Sequence, residues 1–196
     1  MADKSTAIRL FVAVPLPEKW KLILAAWCDE LKQQLPSFRK WTSPEDYHLT
    51  LQFLGDVPAI HVQDISQALQ EAMAAGIPPF ELAIENLGLF GRPENPRVLW
   101  AGIGGDSEHL HQLHTAVAAA LTPLGYPAEE RAYHPHLTLA RQYNGNLPFE
   151  PETWSGRPLP TDSFGEILRW QVDEIVLYTS HLGSLPMYEA VERFSL

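Results

Sequence analysis

Tyr133-His134-Pro135-His136-Leu137-Thr138-Leu139-Ala140-Arg141 holds the residues His-Leu-Thr-Leu at 136–139, and the same four stand at His48-Leu49-Thr50-Leu51. On a β-strand successive side chains point to opposite faces, so a histidine and a threonine two apart share one face and the leucines share the other. Each copy therefore offers an imidazole beside a hydroxyl, anchored from behind by apolar residues. Two such copies predict a site built on two histidines.

The copies sit inside a longer repeat. His48 and His136 are 88 positions apart, and the same offset carries Arg9 to Arg97, Leu10 to Val98, Phe11 to Leu99 and Val12 to Trp100. Residues 8–14 read as a buried strand stopped by Pro15 and Pro17. Trp20, Ile23, Leu24, Trp27, Cys28, Leu31 and Leu35 then recur at helical spacing, with Lys19, Lys21, Asp29, Glu30 and Lys32 on the wet side, and Pro36 as the stop. Residues 97–103 read as the matching strand, and Leu110, Leu113, Val117, Leu121 and Leu124 as the stripe of the matching helix. A strand–helix–strand unit is thus used twice. Packed about a pseudo-twofold axis, the two units would place one His-Thr pair on each wall of a central cleft. The expected fold is α+β and bilobal, with antiparallel sheets lining the cleft and helices outside.

Between and after the units, Gly55-Asp56 reads as a turn and Pro58 as the start of a second helix carrying Ile60, Ile65, Leu69 and Met73. Residues 80–85 alternate as a half-buried strand, 91–96 read as a loop, and 144–163 are rich in Pro, Gly, Asn and Ser. Strands over 172–179 and 188–194 close the chain around a turn at Gly183-Ser184. The expectation is one domain over 1–196, its lobes at about 8–55 and 96–143, with the C-terminal strands at 172–194 completing the sheets.

A chain of 196 residues with 45% hydrophobic and 19% charged residues fits a soluble globular protein with a sizeable core. A formal charge of −10 argues against tracking long duplex nucleic acid through a broad basic surface, and leaves room for a small positive pocket around one phosphate. The single cysteine, Cys28, excludes an intrachain disulfide and fits a cytoplasmic setting. It lies in the apolar stripe of the first helix, where core packing is the expected role. Residues 1–6 are short and polar, and no apolar run is long enough for a membrane span.

Two histidines and two threonines suit displacement at phosphorus. Imidazole titrates near neutral pH, so one ring can accept a proton while the other donates one. General acid and base groups of this kind are each worth ~10²–10⁴ in rate. Threonine hydroxyls can donate to nonbridging phosphate oxygens as charge builds on them, and a nearby arginine adds charge. The scheme needs no metal or cofactor, and the chain carries no His-Glu-x-x-His, P-loop or Gly-x-Gly-x-x-Gly motif.

The two His-Leu-Thr-Leu motifs, the opening Arg-Leu-Phe-Val-Ala-Val-Pro-Leu-Pro, the Leu-Gly-Asp after the first motif, the Ala-Arg after the second and the closing Tyr188 to Phe194 strand together resemble the 2H phosphoesterase superfamily. Within it, the chain is similar to the RNA 2′,3′-cyclic phosphodiesterases, also called 2′-5′ RNA ligase-like proteins. The resemblance implies opening of a 2′,3′-cyclic phosphate at an RNA end to a 2′-phosphate, and a weak, reversible joining of RNA ends through 2′-5′ linkages. It implies His48 as proton donor and His136 as proton acceptor, with Thr50, Thr138 and Arg141 holding the phosphate. The partners would be RNA ends or small nucleotides with a cyclic phosphate, met by a monomer. Rival readings are a 2H phosphodiesterase of another cyclic or 2′-5′-linked nucleotide, and a non-catalytic RNA- or nucleotide-binding module. Both His-Thr pairs are intact, which favours an enzyme.

Strict alternation places Arg141 on the face opposite His136 and Thr138, against the role the resemblance gives it. His134, by contrast, would share the face of His136, but Pro135 breaks regular pairing there and only His136 matches the repeat. His134 is read as a rim residue, and His61, His109, His111, His114 and His181 as surface, turn or helix-edge residues. Phe11, Trp41, Tyr47, Tyr133 and Tyr143 are the aromatic candidates for stacking on a base.

Overall fold

The computed structural model describes residues 7–34, 37–150 and 157–196. In chain order the elements are β1 (Ala7–Pro15), α1 (Glu18–Gln34), β2 (Phe38–Trp41), β3 (His48–Pro58), α2 (Val62–Met73), β4 (Phe80–Arg92), β5 (Asn95–Gly105), α3 (Ser107–Leu121), β6 (His136–Tyr143), β7 (Arg169–Val172), β8 (Glu174–Ser180) and β9 (Tyr188–Ser195). Among the described residues the strands form one antiparallel sheet, ordered β7-β4-β5-β6-β3-β1-β8-β9, with β2 beside the far end of β6. The α+β class and the doubled strand–helix–strand plan read from the sequence hold. The offset of 88 superimposes β1 on β5, α1 on α3 and β3 on β6.

The two halves meet where β3 pairs with β6, through Leu49 opposite Leu137. These two residues hold the same place in the repeat, so the local twofold passes through this pair. The flanking strands obey it too: β8 lies beside β1, and β4 beside β5.

Period-2 alternation explains which face is which. Leu49, Leu51, Leu137 and Leu139 are buried in the core with Leu10, Val12 and Leu99, against Leu24 and Cys28 of α1, Ile65 and Leu69 of α2, and Leu113 and Val117 of α3. Each such leucine contributes about 1.5–3 kcal/mol on burial. A one-residue slip of either strand would drive its histidine and threonine into this core, so the apolar anchors fix the register that exposes the polar pairs.

Some boundaries differ from the sequence reading. Gly55 is not a turn. It takes φ +75° inside β3, where Leu10 pairs with Gly55 and Phe11 with Phe53, so the strand bulges and runs on to Pro58. The expected loop over 91–96 is a tight hairpin, because β4 continues to Arg92 and β5 resumes at Asn95. Pro58 ends β3, and a short 3-10 turn (Ala59–His61) leads into α2. Leu124 falls in a 3-10 turn (Thr122–Leu124) after α3. Leu35 and Pro36, the expected helix stop, lie outside the described residues, as do residues 1–6 and the 151–156 part of the polar stretch. No helix among the described residues is long and apolar enough to cross a membrane.

Candidate active site

The two histidines are held in the same way. Nδ1 of His48 lies 2.7 Å from the carbonyl oxygen of Asp46, and Nδ1 of His136 lies 2.7 Å from that of His134. A carbonyl can only accept, so each Nδ1 carries the proton and donates it. Each neutral ring therefore keeps Nε2 as its free acceptor. Asp46 and His134 are 88 apart, so the tautomer is set identically in both halves. Nε2 of His48 stands 3.1 Å from Oγ1 of Thr50.

Arg141 comes to the same face by a route that alternation does not anticipate. Trp100 pairs with Thr138 but Leu99 pairs with Ala140, which leaves Leu139 as an extra residue in β6. A bulge of this kind reverses the parity of the residues beyond it. Leu139 and Ala140 are accordingly both buried, and Arg141 Nη2 donates to Thr138 Oγ1 at 3.3 Å. The first half has the same device. Ala13 pairs with Thr50 and Val12 with Gln52, so Leu51 is the extra residue. Phe53 thereby takes the place matching Arg141, exposed, with its ring 5.8 Å from Phe11.

Aromatic rings wall both imidazoles. Phe11 lies 4.9 Å from the His48 ring, and Tyr188 meets it edge-on at 4.9 Å, with Tyr178 at 6.1 Å. Phe90 meets His136 edge-on at 4.9 Å, and Trp100 lies 6.2 Å from it. Phe90 and Tyr178 are again 88 apart, so the repeat extends to the walls. Desolvation behind these rings pushes the His48 pKa down to about 4, with the charges of Arg141, His136 and Lys21 acting the same way against the Asp46 carbonyl. His136 is lowered too, by burial first and then by the charges of His134 and Arg141, again against its carbonyl partner. Both rings are thus neutral acceptors near pH 7, and an anion bound between them would favour a proton on one.

His48, Thr138 and Arg141 line one cleft together with Lys40, Trp41, Thr42, Ser43, Asp46, Leu185, Met187 and Tyr188. Residues of both motifs thus meet in one place. The buried Asp46 carboxylate accepts from the backbone N–H of Met187 at 2.9 Å and of Tyr188 at 3.1 Å. It ties the turn before β9 to the loop that holds His48. The sequence reading passed over Asp46, Phe90 and Tyr178. The offset that paired the histidines would have paired the last two; no local pattern marks the first.

Of the aromatic stacking candidates, Trp41 alone lines the cleft. Tyr47 is buried against Cys28, and Phe11 is buried beneath His48. Tyr133 donates to the Thr50 carbonyl at 3.1 Å and stacks on His114, while Tyr143 donates to the Leu147 carbonyl. His134 packs on Trp100 at the edge of the site. His109 bonds Asp106, His111 the Ser107 carbonyl, His61 the Tyr126 hydroxyl and His181 Glu189, so these imidazoles serve local structure. Burial pushes the Cys28 thiol up to about 11, which keeps it inert.

A model of the 2′-5′ RNA ligase superfamily matches residues 22–183. The chain is 37% identical over 186 residues to an RNA 2′,3′-cyclic phosphodiesterase of Geobacillus stearothermophilus, covering 95% of this chain and 56% of that one. It therefore spans little more than half the length of that relative. It is 31% identical over 186 residues to an RNA 2′,3′-cyclic phosphodiesterase of Bacillus subtilis, covering 95% of both. Among solved structures, Escherichia coli LigT in apo form matches at a TM-score of 0.77 and 25% identity, over 98% of this chain and 99% of that one. A Thermus thermophilus protein matches at 0.73 and 28% identity, over 96% and 98%.

Proposed function

The chain belongs to the 2′-5′ RNA ligase superfamily, and from that premise we propose that it is an RNA 2′,3′-cyclic phosphodiesterase whose chemistry is carried by His48 and His136. Water attacks phosphorus in line with the leaving O3′. Nε2 of His136 takes the proton from the water as the new P–O bond forms. Nε2 of His48 gives its proton to O3′ as the P–O3′ bond breaks. The products are a 2′-phosphate and a free 3′-hydroxyl. Thr50, Thr138 and Arg141 meet the nonbridging oxygens, where charge grows in the transition state.

The observation that carries this reading is the shared geometry of the two imidazoles. Each has its proton fixed on Nδ1 by a carbonyl two residues back, which leaves Nε2 as the acceptor, with Thr50 Oγ1 3.1 Å from that of His48, on strands related by a local twofold. In-line displacement needs a proton acceptor and a proton donor on opposite sides of phosphorus, which a twofold-related pair supplies. Arg141 opposes a second positive charge, so a bound anion holds one proton on the pair. The order of donor and acceptor follows the family.

The test is an oligoribonucleotide with a 2′,3′-cyclic end, incubated with the protein in EDTA. Ring opening to a 2′-phosphate that vanishes in His48→Ala and in His136→Ala supports the reading. Tight binding without turnover would make the protein a binding module. Turnover confined to another cyclic or 2′-5′-linked nucleotide would change the substrate but keep the site.

A further inference from the structure

We propose that Lys40 and Arg141 form a second anion site beside the reacting phosphate, one that takes the phosphate on the 5′ side of the terminal nucleoside. The cleft would then select an RNA end over a free nucleoside 2′,3′-cyclic phosphate. This rests on the phosphodiesterase reading of the same cleft.

Lys40 on β2 pairs directly with Arg141 on β6. Directly opposed residues of an antiparallel pair point to one face with Cβ atoms about 4.5–5.5 Å apart, and like charges so placed are destabilising. Among the described residues neither cation has a carboxylate within ion-pairing distance. Several other cations of this acidic chain are paired, Arg9 with Asp56, Lys21 with Glu18, Lys32 with Asp29, Arg169 with Glu81 and Arg193 with Glu174, and what sets Lys40 and Arg141 apart is that they face each other in one cleft. The acidic groups around the cleft are turned elsewhere. Asp46 directs both oxygens to the backbone of Met187 and Tyr188, and Glu45 accepts from Ser43 Oγ. In a chain with a formal charge of −10, two facing cations without a counter-ion mark a place that an anion is meant to fill.

Both cations line the cleft that holds His48 and Thr138. A guanidinium carries five N–H donors. Arg141 directs one to Thr138, so it can serve the reacting phosphate and a neighbouring one together. The neighbour's identity follows from the substrate's chemistry. A 2′,3′-cyclic phosphate occupies both O2′ and O3′, so the remaining ester oxygen of that ribose is O5′. The next phosphate can only arrive from the 5′ side.

The probes are a nucleoside 2′,3′-cyclic phosphate and the same compound carrying a 5′-phosphate. Wild type is expected to favour the 5′-phosphorylated probe by about tenfold in kcat/KM, and Lys40→Met to lose most of that preference while Lys40→Arg keeps it. The wild-type preference for the 5′-phosphorylated probe should shrink as ionic strength rises, and the small preference left in Lys40→Met should depend on salt much less. No preference in wild type, or a preference that survives Lys40→Met, overturns the inference. Calorimetry with nucleoside 2′-phosphate and nucleoside 2′,5′-bisphosphate reads the same subsite without turnover. If neither cyclic probe is hydrolysed but the bisphosphate binds about tenfold tighter to wild type and not to Lys40→Met, the phosphodiesterase reading fails and the anion site stands. Equal binding of the two in wild type overturns the site.

Discussion

The carbonyl oxygen of Asp46 accepts a 2.7 Å hydrogen bond from Nδ1 of His48, while the Asp46 carboxylate, buried, accepts from the backbone N–H of Met187 and Tyr188. One residue thus sets the tautomer of an imidazole and pins a turn more than a hundred positions away in the chain. The pinned segment brings Tyr188 edge-on to the same imidazole. Asp46→Ala leaves these backbone donors without their acceptor, which costs about 1–3 kcal/mol. Urea denaturation should show that loss, and kcat/KM should fall as Tyr188 leaves the His48 ring. An unchanged denaturation midpoint would refute the clamp.

The lowered histidine pKa values have a consequence for stability. An unfolded histidine titrates near 6.5, whereas His48 in the folded chain is held down to about 4. Between those values the unfolded chain binds a proton that the folded chain resists. Stability is therefore full above pH 6.5 and falls as pH drops toward 4. His48→Gln should flatten part of that decline. The comparison is between urea midpoints at pH 7.5 and 5.0 for the two proteins, and identical declines would contradict it. In kinetics, with His136 as the base proposed above, its lowered pKa would place the acid limb of kcat/KM below pH 6.5.

Thr138 and Arg141 act as a unit. Arg141 Nη2 donates to Thr138 Oγ1, which turns the hydroxyl proton away from the guanidinium and leaves it to be donated elsewhere. Thr138→Val and Arg141→Met should each lower kcat by about 10²-fold, the scale of one lost donor to developing charge. The double variant should lose much less than the product of the two, since groups in one network couple by 0.5–3 kcal/mol. Strict multiplicativity in the cycle would show that they act separately.

Gly88 is required beneath Trp100. A Cβ at residue 88 would lie 2.2 Å from Trp100 Cζ2, against the flat of a ring that cannot swing aside cheaply. Gly88→Ala should cost about 1–3 kcal/mol as an overpacked contact. By displacing the indole from the wall beside His136, it should also let water back to that ring. An NMR titration is expected to place the His136 pKa in Gly88→Ala closer to 6.5 than in wild type; no movement would show that Trp100 does not desolvate it.

Much of the site was legible along the chain because its logic is periodic. His48 with Thr50 and His136 with Thr138 follow from the two-residue repeat of a strand, and their partnership follows from the 88-residue offset. The leucines between them point into the helix-backed core for the same reason. Phe90 and Tyr178 were readable by that offset as well. Arg141 was not, because its direction depends on a bulge, and a bulge is a mismatch of length between two strands. Leu139 is an extra residue only relative to Leu99 and Trp100, far earlier in the chain.

The sequence by itself determined the doubled strand–helix–strand plan, the face on which the histidines stand and the kind of chemistry they can do. These rest on local periodicity and internal repetition, which survive without knowing any long-range contact. The tertiary structure alone decided that Leu49 meets Leu137 at the twofold, that Asp46 clamps the turn before β9, and that Lys40 faces Arg141. Each of these is a pairing between distant segments, set by how whole strands register against one another, and no single segment carries that information.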